Sequence, residues 1–217
     1  MTPNEKSKVL SEALPYIKKF FGKTIVIKFG GNAMVDKKLK QSFAKDLVLL
    51  KLVGMNPVII HGGGPQINDS LDKYGKKSIF EQGIRVTDEE TMIIVANVLS
   101  DINKQIVSLI KENGGEASSY SNKETSGIIK AKKIKVDKNS VDLGYVGEIV
   151  SIDPSFMKEL KDSGVIPIIA PIGMGDDNKI YNINADVVAS KVAEVLNAEK
   201  LVLMTNTKGV LDKKNNL

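Results

Sequence analysis

The 217 residues contain no cysteine, so no disulfide holds the fold, which fits a reducing compartment. Histidine occurs once, as His61, which leaves no His/Cys constellation for a metal and no Ser/His/Asp set for nucleophilic chemistry. No apolar run approaches the length of a membrane span, and the N-terminus has no uninterrupted apolar core of a secretory signal. Internal repeats, low-complexity tracts and linkers are absent. Arginine is nearly absent: of 31 basic residues one is arginine, Arg85, and the other 30 are lysine.

That imbalance carries information. Arginine grips a carboxylate through two parallel hydrogen bonds and lysine cannot, so a lone Arg85 is either a chance surface residue or a carboxylate clamp. The net charge of +5 and pI of about 9.1 are compatible with nucleic-acid binding. Against it, the lysines run along the whole chain among 26 acids. The tightest cluster, Lys130, Lys132, Lys133 and Lys135, alternates like the outer face of a strand.

The chain alternates strand and helix signals. Residues 5–21 have apolar groups at helical spacing, with Pro15 expected to kink or divide the helix. The β-branched run Thr24–Phe29 reads as a strand ended by Gly30-Gly31, followed by a helix over 36–53. "PVIIHGGGPQI" repeats the plan, with a strand over 57–61 and a helix over 65–74 opened by Pro65. Thr87-x-x-Glu90 predicts a capping box for a long helix that stops at Gly114-Gly115. Residues 128–152 read as a hairpin excursion, and Asp153-Pro154 as the start of a short helix. "GVIPIIAPIG" predicts a buried strand, "NINADVVASKVAEVLN" a helix and "EKLVLMTNTKGVL" a strand and loop. The fold class is therefore α/β, three layers around a mostly parallel open sheet, with ligands expected beyond the C-terminal strand ends.

Both glycine loops leave a strand there and enter a helix. Such loops are tight turns or anion sites, since free N–H groups at a helix start point partial positive charge at oxyanions. Neither loop fits G-x-G-x-x-G or G-x-x-x-x-G-K-[ST]. Lys28, on an apolar strand two residues before Gly30, either snorkels to the surface or neutralises a phosphate. Asp186 is a helix N-terminal charge or the partner of such a lysine. Asn182 and Asn184 are turn residues or amide contacts for a substrate. His61 is read as a packed residue positioning its loop rather than as a general base.

Taken as an ordered set, "IKFGGNAM", "HGGGPQI", "GIRVTDEETM", "DLGYVGEIVSID", "IPIIAPIG" and "YNINADVVAS" resemble the amino acid kinase family from about Lys23 to the last residue. "GIRVTDEETM" and "YNINAD" point to its members that act on N-acetyl-L-glutamate rather than on carbamate, aspartate or uridylate. The resemblance implies a cytoplasmic enzyme of arginine biosynthesis that moves a phosphoryl group from ATP, with its Mg²⁺, to the γ-carboxylate. It implies that Lys28 stabilises the transferring group and that Asp186 organises it. Gly30 and Gly31 would bring N–H groups to the phosphates. Gly63, Gly64, Arg85 and Asn182 would hold acetylglutamate, and Thr205, Asn206 and Gly209 would begin the nucleotide site; no protein ligand to a metal is expected. It further implies an N-terminal oligomerisation helix over 1–20, an amino-acid lobe over 21–197 and the start of a nucleotide lobe over 198–217. A homodimer or hexamer, arginine as feedback inhibitor and a nitrogen-regulatory partner protein are expectations of the same kind. Asn206 stands where the family more often has Asp, and the chain stops at Leu217 before a second lobe, as a fragment would. Another acceptor within the family, or a non-catalytic amino-acid-binding module, is the alternative.

Overall fold

The computed structural model describes residues 1–121, 128–135, 141–153, 163–206 and 209. Its frame is a five-stranded parallel sheet in the order β11-β1-β2-β8-β5: β1 Thr24–Phe29, β2 Asn56–His61, β5 Ala117–Tyr120, β8 Ile166–Ile169 and β11 Lys200–Leu203. Side chains alternate across a strand, and that period decides what each face receives. Ile25, Ile27 and Phe29 of β1 join Ile59 of β2 and Ile168 of β8 in a core closed by α2 (Lys37–Leu52) and α4 (Glu89–Glu112). The Phe29 and Phe43 rings stack there at 4.0 Å. Val26, Val58 and Ile60 face the other way and are covered by α5 (Ala185–Val195) through Val188, Ala189 and Val192.

A second sheet packs on that opposite face, in the order β10-β9-β6-β7: β6 Ile129–Lys133, β7 Gly147–Ile152, β9 Ile172–Met174 and β10 Ile180–Asn182. The expected hairpin is β6 with β7, and Lys130 and Lys132 are on its outer side as their alternation implied. β9 and β10 differ from expectation. "IPIIAPIG" is two strands in two sheets, because the chain leaves the main sheet after Ile169 and re-enters the second sheet after Pro171. "IYN" pairs antiparallel with β9 before the helix begins. A short hairpin, β3 Phe80–Glu81 with β4 Ile84–Arg85, was not signalled; Gly83, at φ +80°, turns it.

Two helix boundaries correct the sequence reading. α1 runs unbroken over Pro3–Phe20, so Pro15 does not divide it; a Thr2–Glu5 capping box starts it instead. α4 is not capped by Thr87. Asp88 is its N-cap and accepts from the Thr91 N–H at 2.7 Å, while Lys76 pairs with the same carboxylate at 2.9 Å. A hydrogen bond from the Thr91 side chain, together with Lys76 and the Thr91 N–H, holds the Asp88 carboxyl down at about 2. α4 has the length and mean hydropathy, 1.4, of a membrane span, which the reading of short apolar runs understated. Here Val95, Leu99, Ile102, Ile106 and Ile110 are spent on the core. The short helix expected after Asp153 lies outside the described residues.

Candidate active site

A cleft of about 340 Å³ opens at the C-terminal ends of β1 and β2. Lys28, Gly30, Gly31, Gly63, Gly64, Arg85, Asn182 and Asp186 all line it. Thr205, Asn206 and Gly209 do not. Of these, Asn206 lies behind Gly31, where a Cβ would fall 2.5 Å from its Oδ1. The Met204 N–H donates to the Lys28 carbonyl at 3.0 Å and holds that stretch against β1.

Lys28 shares the face of β1 with Val26, so the two-residue period delivers it to the start of α5. Its Nζ lies 3.1 Å from Asp186 Oδ1, with the lysine side chain 15% exposed and the aspartate 52%. A pair this open contributes little to stability, so its value is in aiming the ammonium. Gly30 makes room for that aim: a Cβ there would sit 2.6 Å from Lys28 Nζ. Gly31 takes φ +66°, a conformation that glycine adopts without steric cost. Asn184 is the N-cap of α5 and accepts from the Asp186 and Val187 N–H groups at 2.8 and 3.4 Å. Its amide is thereby assigned to the helix start.

Arg85 is buried, and that burial lowers its pKa from the usual value. Its guanidinium donates to Ser78 Oγ, to Asn68 Oδ1 at 2.8 Å and to the Gly64 carbonyl at 3.4 Å, and lies over the Phe80 ring. Among the described residues no carboxylate pairs with it. A buried cation held only by neutral acceptors leaves its charge uncompensated, which favours an anion in the cleft. Ser78 and Asn68 were missed in the sequence because neither belongs to a motif; only their distance in the chain from Arg85, not any pattern, is visible there.

The second glycine loop is anchored from behind. His61 has the parity of Ile59 and so points into the α4 side of the sheet, where it is wholly buried. A carbonyl only accepts, so Nδ1 carries the proton and donates to the Gly62 carbonyl at 2.8 Å. Nε2 then accepts from Asn103 Nδ2 at 3.1 Å, and the same amide nitrogen donates to the Ile168 carbonyl at 2.8 Å. Burial pushes the His61 pKa down to about 4, partly opposed by the bond to Gly62. The imidazole is neutral at pH 7 and out of reach of a ligand. Its bond fixes the Gly62–Gly63 peptide; in a trans peptide the N–H lies opposite the C=O, so the Gly63 N–H is turned away from the core. No described residue accepts from the N–H of Gly63 or Gly64. α3 (Gly64–Lys73) starts here, adding its positive end. Gln66 Nε2 donates to the Met34 carbonyl at 3.0 Å and ties this loop to the first one.

The cleft thus offers two cations and bare N–H groups beyond the carboxyl edge of a parallel sheet, the furniture of an enzyme that handles phosphate and carboxylate together. The chain belongs to the amino acid kinase family, whose sequence model matches residues 23–217. It is 60% identical to an acetylglutamate kinase of Methylobacillus flagellatus, over 98% of this chain and 74% of that protein. It is 55% identical to an acetylglutamate kinase of Cupriavidus metallidurans, over 100% of this chain and 72% of that protein. Among solved structures it resembles N-acetylglutamate synthase from Neisseria gonorrhoeae, complexed with coenzyme A and N-acetyl-glutamate. That likeness has a TM-score of 0.83 at 25% identity and covers 96% of this chain and 47% of the synthase, so the chain spans about half of that protein. Giardia carbamate kinase shares the fold at a TM-score of 0.57 and 18% identity, over 86% of this chain and 73% of that one.

Proposed function

We propose that the protein transfers the γ-phosphoryl group of ATP to the γ-carboxylate of N-acetyl-L-glutamate, giving an acyl phosphate and ADP in arginine biosynthesis. The observation that carries this reading is Arg85, a buried cation with no carboxylate partner among the described residues, in one cleft with Lys28. The names of the relatives above support the same substrate.

Arg85 takes the α-carboxylate, for which a guanidinium fork is shaped. Asn182 and the N–H groups of Gly63 and Gly64 complete the acceptor end. When bound, ATP supplies the phosphoryl group together with a Mg²⁺ carried on its phosphates. The residues present fit such a group at Gly30 and Gly31, where bare backbone adjoins the Lys28 ammonium. The ion's ligands are assigned to phosphate oxygens and water, which suit the hard, strongly hydrated Mg²⁺. Lys28 offsets the charge that spreads over the transferring oxygens, and Asp186 keeps it aimed. Catalysis of this kind is positioning and electrostatics, with no covalent intermediate. Residues 21–197 form the acceptor lobe in this reading, and the stretch from 198, with Thr205, Asn206 and Gly209, starts the nucleotide side. Arginine is proposed as a feedback ligand, supported by the synthase also solved with coenzyme A and L-arginine.

The test is ADP release with N-acetyl-L-glutamate, glutamate, aspartate and carbamate as acceptors. Turnover confined to N-acetyl-L-glutamate, with KM raised roughly tenfold or more in Arg85→Lys, is expected. Preference for another acceptor, or an indifferent Arg85→Lys, overturns the reading.

A further inference from the structure

We infer that Thr87 is a positioning residue that couples the main chain of Arg85 to the side chain of Asn182, two residues assigned above to the substrate; the inference rests on that assignment. Thr87 has no exposed surface and does not line the cleft. Its hydroxyl has one proton, donated to the Arg85 carbonyl at 2.9 Å. Its lone pair receives Asn182 Nδ2 at 3.4 Å. One oxygen, 95 residues away in the chain from Asn182, therefore touches both.

The backbone around Thr87 leaves that oxygen no freedom. Its N–H donates to the Leu143 carbonyl at 2.9 Å, and its carbonyl accepts from the Tyr145 N–H at 2.6 Å. The Tyr145 carbonyl in turn accepts from the Asn182 N–H at 2.9 Å. Gly144 permits the approach: at φ +71° a Cβ would stand 2.8 Å from the Thr87 carbonyl carbon. The segment at 143–145 is thus a strap that joins the end of β4 to the end of β10. Within it the Thr87 hydroxyl orients the Asn182 amide. One amide N–H is engaged by Thr87, which leaves the other N–H and Oδ1 for the cleft.

A threonine at this place is open to a blander explanation, since it precedes a helix. The geometry rules that role out. Asp88 performs the capping, and the Thr87 hydroxyl donates back to the Arg85 carbonyl and accepts from the Asn182 amide, not from a helix N–H. A residue that only packed would need its shape and not its proton, so valine, its near-isostere, separates the two cases.

The experiment is calorimetric titration of N-acetyl-L-glutamate into the wild-type chain, Thr87→Val, Thr87→Ala, Thr87→Ser, Asn182→Ala and the double variant Thr87→Val/Asn182→Ala, with a melting curve for each. Valine and alanine are expected to weaken binding roughly tenfold, and serine to stay within about twofold of wild type. The double variant is expected to lose less than the product of its two single losses, the mark of residues acting through one another. Alanine keeps the test alive if valine does not fold. Unchanged affinity in both hydroxyl-free variants overturns the inference. So does a loss that serine fails to restore, or losses that multiply independently. A folded wild type that binds no N-acetyl-L-glutamate overturns the substrate assignment first, and the inference with it.

Discussion

The two glycine loops of the cleft look alike in sequence and are held by different physics. In the loop after β1 the glycines answer to their immediate neighbours: Gly31 to a positive φ, Gly30 to the tip of Lys28. The loop after β2 is fastened from the dry interior by His61 and Asn103, and its glycines have unlike reasons. A Cβ on Gly63 would meet Leu99 Cδ2 at 2.9 Å and Ile102 Cδ1 at 3.1 Å, so α4 demands that glycine. A Cβ on Gly64 would meet nothing within 4 Å. A run of glycines is therefore several signals, and only the residue with open space before it speaks for something outside the protein.

The largest effect belongs to the first loop. Lys28→Met removes the ammonium beside the transferring group, and kcat in an ADP-release assay is expected to fall roughly 10²–10³-fold. Binding of N-acetyl-L-glutamate, held at the other end of the cleft, stays close to wild type. A variant with undiminished kcat would detach Lys28 from the chemistry.

The second loop responds to acid through its anchor. The folded pKa of His61, about 4, lies below the ordinary 6.5 of a free imidazole, so below pH 6.5 the unfolded chain binds a proton that the folded chain refuses. Stability is whole above pH 6.5, falls between 6.5 and 4, and levels below 4, a span of about 3 kcal/mol for this group. Chemical denaturation across that window, repeated on His61→Asn, should show the slope reduced in the variant. Equal slopes would place the acid sensitivity elsewhere.

Much of this contrast was legible beforehand, and the illegible part has a pattern. β1, β2 and α2 declare themselves through local signals, a β-branched run and an amphipathic period, so their placement needed no tertiary knowledge. The cleft residues were legible because glycine, lone arginine and a lysine in an apolar strand break local expectation. What escaped was set at long range. β9 is a strand because it pairs with β6, and β10 because it pairs with β9. Asp88 outcompeted Thr87 for the cap because Lys76 holds its carboxylate and because Thr87 is claimed by Arg85 and Asn182. Asn103, which locks His61, lies in the middle of an apolar helix with no motif around it. Its burial alone gives it away, and burial is a property of the fold.

Gly63→Ala sharpens the comparison next. The added methyl presses on Leu99 and Ile102, and overpacking of this kind costs about 1–3 kcal/mol, read as a lower midpoint in urea. An unchanged midpoint would mean that α4 yields without resistance.

Gly64→Ala has the smallest effect on the fold and decides the most. Gly64 is the first residue of α3, where alanine stiffens the unfolded chain and suits the helix, so stability should hold or rise by about 0.4–1 kcal/mol. No protein atom objects to the methyl. If the space in front of Gly64 belongs to the acceptor, calorimetry will show N-acetyl-L-glutamate binding weakened roughly tenfold, the equivalent of about 1.4 kcal/mol, in a protein no less stable than wild type. Binding and stability then move in opposite directions, which no packing defect can imitate. If affinity is untouched, the open space is idle, and the glycine run after β2 is explained by α4 and His61 alone.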